Sequence, residues 1–148
     1  MPKFVLSAWI DAPLERVWAF HEAPEALERL MPPGQKMRVN LREGGIREGG
    51  RVVIAMPLLG LIPVEWHARH TVYEPMRRFV DEQEKGPFAY WRHEHRMEAE
   101  GTGTRLTDEI EYRLPGGSFV NWVGGIIVRQ QLKRLFQYRH KVTKRFCE

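Results

Sequence analysis

SFVNWVGGIIVRQQLKRLFQYRHKVTKRF, residues 118–146, contains no proline and is rich in Val, Ile, Leu, Gln, Lys and Arg, so it predicts one uninterrupted helix. At 1.5 Å per residue that helix is roughly 43 Å long, whereas a chain of this size has an expected radius of gyration near ~15 Å. A rod of that length cannot stand free; strands of about ten residues, roughly 33 Å, are long enough to receive it. Its first turns, with Phe119, Val120, Trp122, Val123, Ile126, Ile127 and Val128, are apolar on nearly every side. Gly124-Gly125 either lets the sheet approach the backbone or thins the wall of an interior space. Further on, Leu132, Leu135, Phe136, Val142 and Phe146 form a core stripe, with Arg129, Lys133, Arg134, Lys141, Lys144 and Arg145 mostly outside it.

Working outward, Lys36 to Pro115 alternates apolar and polar residues with a period of two. Turn signals at Glu43-Gly44-Gly45, Glu48-Gly49-Gly50, Leu59-Gly60, Glu74-Pro75, Lys85-Gly86-Pro87 and Glu100-Gly101-Thr102-Gly103 punctuate the pattern and predict six strands. Lys3 to Ile10 predicts another strand, and Asp11-Ala12-Pro13 opens a helix. Leu14, Val17 and Trp18, then Leu27, Leu30 and Met31, keep helical spacing on either side of Ala23-Pro24, which predicts two short helices meeting at an angle. Links of hairpin length make the sheet antiparallel. The chain therefore reads as one α+β domain over 1–148: a seven-stranded curved antiparallel sheet wrapped around the long C-terminal helix, with two short helices after the first strand. Long twisted strands diverge, so a cavity between sheet and helix is expected.

The totals fit that reading. The chain is 43% hydrophobic and 28% charged, which excludes a disordered tail or a chain built of membrane spans. Cys147 is the only cysteine, so there is no disulfide framework and a reducing cytoplasm is the expected location. Met1 to Ile10 lacks the pattern of a secretory signal, and nowhere do 18 apolar residues run together. Residues 114–148 carry 7 Lys+Arg against 1 Asp+Glu, a net +6, whereas residues 1–113 carry 16 against 18. The excess of positive charge lies in the final helix, without an aromatic-basic RNA motif or a helix-turn-helix, which argues against nucleic acid.

The polar residues that demand explanation lie on inward faces. Between Phe88 and Glu100, Trp91, His93, His95 and Met97 share one face and Arg92, Glu94, Arg96 and Glu98 the other, read as solvent. On the next strand Leu106, Asp108, Ile110 and Tyr112 share the inward face. The Glu100 to Gly103 turn opposes Met97 to Leu106, His95 to Asp108, His93 to Ile110 and Trp91 to Tyr112. Across Gly86-Pro87, a pairing sum of about 174 opposes Asp81 to His93 and Gln83 to Trp91, with a slip of two residues left open. Two His-Asp contacts on the cavity wall follow, serving strand register, ligand recognition or acid-base chemistry; the sequence leaves these open.

Asp11-Ala-Pro13 with Val17-Trp18, Phe79-Val-Asp-Glu-Gln83 leading to Gly86-Pro-Phe88, Trp91-x-His93-x-His95, Gly103-Thr104 with Asp108 and Tyr112, and the terminal helix carry a resemblance over nearly the whole length. The chain resembles the START and Bet v 1-like helix-grip superfamily (SRPBCC), and the Gly-Pro-Phe to His-x-His stretch resembles a bacterial ligand-binding branch related to polyketide cyclase-like proteins. That resemblance implies the grip fold. Its members include lipid carriers, hormone receptors and cyclases, so it does not single out a reaction.

The function expected is binding or carriage of a small hydrophobic molecule, lipid-like, polyketide-like or aromatic. Its polar head would be read by His93, His95, Asp108, Tyr112 and Gln83, and its body by Trp66, Trp91, Met97, Ile110, Trp122 and Ile126. The alternative is a cyclase or dehydratase in which His93, His95 and Asp108 are catalytic. No phosphate-gripping glycine loop, nucleophile motif or dinucleotide fingerprint is present, so no cofactor is expected. No metal is expected either, because the further histidines, His67 and His70, lie on another strand in opposite facings. The uncharged stretch Ala55 to Val64 suggests packing against the helix or a partner, or a lid; Leu58, Leu59, Leu61 and Ile62, with the basic helix, would make transient contact with a membrane surface. The oligomeric state is left open.

Overall fold

A computed structural model describes residues 2–58 and 62–148. In chain order the elements are β1 (Lys3–Ile10), α1 (Leu14–Glu22), α2 (Ala26–Arg29), β2 (Arg38–Glu43), β3 (Arg51–Leu58), β4 (Ile62–Glu74), β5 (Arg78–Lys85), β6 (Tyr90–Glu100), β7 (Gly103–Arg113) and α3 (Ser118–Cys147). The described strands form one antiparallel sheet ordered β1-β7-β6-β5-β4-β3-β2, in which β1 and β7 are neighbours without being consecutive. This is the helix-grip architecture. Pro24, whose ring forbids continuation, separates α1 from α2.

The β6–β7 turn sets the pairing the sequence implies: Met97 opposes Leu106, His95 opposes Asp108, His93 opposes Ile110 and Trp91 opposes Tyr112. Across β5–β6, Asp81 opposes His93, but the ladder ends at Glu82 and Arg92, so Gln83 and Trp91 are not paired. The outer face of β6 is not simply solvated. Glu94 is only 8% exposed, its carboxylate receiving Arg78 Nη1 at 3.0 Å and Arg96 Nη1 at 2.6 Å. Arg92 Nη2 is a third cation beside it, 3.6 Å from Oε1.

Two apolar clusters hold the sheet to its helices. One gathers Ile10, Val17, Trp18, Phe79, Met97, Leu106 and Val142 where α1 and the C-terminal half of α3 meet the sheet. The other gathers Phe4, Trp91, Ile110, Tyr112, Leu132 and Phe136 under the middle of α3. Burying a side chain of this size contributes about 1.5–3 kcal/mol. The N-terminal half of α3 lacks such support: Asn121 clasps Leu114, donating to its carbonyl at 3.0 Å and accepting its amide at 2.8 Å, and Tyr112 donates to the Gly125 carbonyl at 3.3 Å. An added Cβ on Gly124 would meet Leu114 Cδ1 at 2.7 Å, while one on Gly125 meets nothing within 4 Å. Only the first glycine serves close approach.

Candidate ligand cavity

Between the concave face and α3 lies a cavity of about 1270 Å³. Its aromatic wall is a trio from β4, β6 and the turn between β5 and β6: the Trp66 and Trp91 rings are 4.7 Å apart edge-on, and Phe88 lies 5.6 Å and 4.8 Å from them. Gln83 fixes that turn, donating from Nε2 to the Phe88 carbonyl at 2.8 Å while its Oε1 accepts the Phe88 amide at 3.2 Å. On the helix side the wall is made by Val120, Gly124, Val128, Leu132, Leu135 and Phe136.

A polar cluster interrupts this surface. His93 Nε2 donates to Asp108 Oδ1 at 2.7 Å, His140 Nε2 donates to Asp108 Oδ2 at 2.7 Å, and His95 Nε2 donates to Asp81 Oδ2 at 2.9 Å. The two His-Asp contacts thus exist, but along diagonals: the directly opposed pairs are longer, His95 Nδ1 to Asp108 Oδ1 at 3.2 Å and His93 Nδ1 to Asp81 Oδ2 at 3.7 Å. Side chains lean along a strand, so the diagonal neighbour can be nearer than the opposed one.

The cluster divides its protons unevenly. Burial pulls the His95 pKa down, but hydrogen bonds to Asp108 and Asp81 outweigh it and push it up to about 9. Burial also lowers the His93 pKa, and the charge on His95, 3.6 Å away ring to ring, lowers it further against the pull of Asp108. Burial works to raise both aspartates; imidazole donors prevail and hold Asp108 and Asp81 well below the usual carboxylate range. At neutral pH the pair is a charged His95 beside a neutral His93, the separation of roles that acid-base chemistry uses. His21, on α1, also faces the cavity; burial brings its pKa down to about 4 although Nδ1 donates to the Val17 carbonyl at 2.9 Å.

Asp81, His93 and His95 offer ligand atoms within 4.8 Å of one another and could hold a metal ion. The third group comes from β5, not from His67 or His70. A cation there would have to displace the proton that His95 donates to Asp81.

Of the residues expected at the wall, Trp66, Trp91, His93 and His95 line the cavity. Trp122 and Ile126 do not: they are 70% and 65% exposed on the outer side of α3. The inward stripe is set by Leu132, Phe136 and His140, and counting back by fours reaches Val128, Gly124 and Val120, which leaves positions 122 and 126 on the far side. Met97, Ile110 and Tyr112 are buried in the two core clusters and do not belong to the wall. Asp108, 3% exposed, stands one layer behind His93. Gln83 braces Phe88 rather than the wall. Leu59 and Leu61 lie outside the described residues, as does the Leu58 side chain; Ile62 is 55% exposed. Sequence reasoning missed His21, His140 and Arg139. The first falls three residues after Trp18 and the second four after Phe136, both on inward stripes, which was the available signal.

A grip fold with an aromatic cavity and a buried imidazole-carboxylate cluster defines a ligand-cavity protein of the SRPBCC superfamily. The chain belongs to the family described as polyketide cyclase / dehydrase and lipid transport, whose profile matches residues 10–137. Among curated proteins none matches. Solved structures agree in fold. TTHA0849 from Thermus thermophilus is 21% identical, with 96% of this chain and 97% of that one covered and a TM-score of 0.71. Ara h 8.0201 is 11% identical, with 96% and 97% covered and a TM-score of 0.70. A nucleoside-diphosphate sugar epimerase from Corynebacterium glutamicum is 25% identical over 96% of this chain, with a TM-score of 0.76, and the match spans 28% of that protein.

Proposed function

We propose that this protein binds or carries a small hydrophobic molecule, lipid-like, polyketide-like or aromatic, in the cavity between sheet and α3. The observation that carries the reading is a space of about 1270 Å³, beyond the ~300–1,000 Å³ common for drug-sized ligands, walled by Trp66, Phe88 and Trp91 and polar at His93, His95 and Asp81. The aromatic trio would hold the body of the ligand and the imidazoles its head. The reading takes residues 1–148 as one domain, acting in a reducing cytoplasm with Cys147 buried and free. Native mass spectrometry of gently purified protein, followed by solvent extraction, tests it: an added mass that leaves with the solvent is expected. Protein that carries no such mass and shows no quenching of Trp66 and Trp91 by aliphatic or aromatic probes would refute it.

Two finer parts belong to this reading. No helix of the described residues is long and apolar enough to cross a membrane. The exposed Phe119, Trp122 and Ile126 on α3, with Arg129 and Lys133 further along it, and the exposed Ile62 on β4 suit transient contact with an anionic lipid surface during ligand exchange. A second reading, a cyclase or dehydratase, is favoured by a neutral His93 beside a protonated His95 on one wall, ring centroids 3.6 Å apart, with His93 the candidate base. Turnover of a poly-β-ketone thioester that is abolished by His93→Ala would select it over the carrier.

A further inference from the structure

Among the described residues, five buried side-chain atoms have no hydrogen-bond partner: Trp66 Nε1, His67 Nε2, His70 Nδ1, Thr71 Oγ1 and Arg139 Nε. Three of them, on Trp66, His70 and Arg139, belong to residues that line the cavity. A buried polar atom without a partner costs about 1–3 kcal/mol, more when charged, so the residue to explain is the one that carries a charge. Arg139 is the most demanding of the three. Its guanidinium lies 5.1 Å from the Phe136 ring, whose far neighbour is His93, ring centroids 5.0 Å apart, so it stands over the same end of the cavity as the imidazoles. Burial lowers its pKa while the charges of Asp108 and Asp81 oppose the shift, yet neither carboxylate is hydrogen-bonded to it. Those carboxylates are taken up by His93, His95 and His140.

We infer that Arg139 receives the head group of the cavity's ligand and that this head group is a carboxylate, a conclusion that rests on the ligand-carrier reading above. The planar fork of a guanidinium matches a carboxylate with two parallel N–H···O bonds. His70 and Trp66 face the cavity from β4 with a polar atom each unpartnered, Nδ1 and Nε1. A dianion fits less well. One guanidinium fork takes one carboxylate, and Asp81 and Asp108, both held ionised close by, repel a further negative charge. The ligand class is therefore a monocarboxylate amphiphile, an apolar body against Trp66, Phe88 and Trp91 with its acid at Arg139.

The test uses the full chain and three probes of one chain length: dodecanoate, methyl dodecanoate and dodecanol, titrated against tryptophan fluorescence and checked by native mass spectrometry. Wild-type protein is expected to bind dodecanoate roughly 10- to 100-fold more tightly than either neutral probe, the range of a charge-assisted pair. Arg139→Met should erase that preference while leaving dodecanol within about 3-fold. Arg139→Lys should retain part of the preference. Equal binding of all three probes to wild-type protein overturns the carboxylate assignment and leaves the carrier intact. If none binds, the assignment falls, and the carrier reading is decided by the bound mass and the aromatic probes described above. Should Arg139→Met not fold, the wild-type comparison of acid with methyl ester still decides.

Discussion

Replacing Asp108 with alanine removes the acceptor on which three buried imidazoles converge, at 2.7, 2.7 and 3.2 Å. His93 and His140 are 3% and 5% exposed, so water does not replace the lost oxygens. Breaking a buried, hydrogen-bonded charge pair costs about 3–5 kcal/mol, because the surviving partner is stranded. Against a domain stability of ~5–15 kcal/mol that is a large fraction. Asp108→Asn keeps the shape and one acceptor but turns an NH₂ toward the second imidazole, so about 2–3 kcal/mol is expected. It should also lower the His95 pKa from about 9, since the bond to Asp108 is the largest influence raising it. Urea unfolding followed by circular dichroism at pH 7 gives the first quantity, and an NMR titration of the imidazole protons gives the second. A loss below about 1 kcal/mol for Asp108→Ala, or an unmoved His95 in Asp108→Asn, would contradict the convergence of charge on this carboxylate.

Stability should fall at both ends of the pH range. His21 has its folded pKa depressed from 6.5 to about 4, so its contribution is complete above 6.5 and is lost as pH falls toward 4, about 3 kcal/mol in full; His21→Leu should flatten the acid limb of a denaturant-midpoint profile, and an unchanged limb would count against it. His95 is raised from 6.5 to about 9, so its contribution is present below 6.5 and disappears as pH rises through 9; His95→Gln should lose that alkaline slope. Gly125→Ala, whose Cβ meets open space, should raise stability by about 1 kcal/mol, and Gly124→Ala by less, since it must displace Leu114. Trp122→Ser should leave ligand affinity unchanged yet weaken sedimentation with anionic vesicles, whereas Trp91→Ala should weaken ligand binding at least tenfold; the reverse pattern would place Trp122 in the cavity after all.

The architecture is legible in the sequence because long-range order here follows from local signals. Proline and glycine turns mark the strand boundaries, and a helix too long to stand alone demands a sheet to lie on. The β6–β7 register is readable as well, since a tight turn and an inward face leave a single alignment. The bonds within that register are not. Whether His93 leans toward Asp81 or Asp108 depends on twist and on a third imidazole, His140, arriving from a helix 32 residues beyond Asp108. Trp122 and Ile126 read as inward because the start of α3 is apolar all round and carries no phase of its own; its rotation is set by Leu132, Phe136 and His140 downstream. Arg139 is hidden by composition, one cation in a basic helix, and only burial distinguishes it from Arg134 and Lys141.

The uneven anchoring of α3 gives one helix two mechanical halves. From Leu132 onward it is bolted through Phe136, His140, Val142 and Thr143 into the core, while before Val128 it is tied by a hydroxyl on Gly125 and an amide clasp on Leu114. Fraying of the leading three turns therefore gives up, besides the helix's own ladder, three hydrogen bonds to the rest of the fold and little buried area, so backbone amides there should exchange with deuterium well before those downstream. On the carrier reading, that loosened stretch is where a cargo would come and go while the rest of the molecule keeps its shape, much as a drawer slides in a cabinet whose frame stays square.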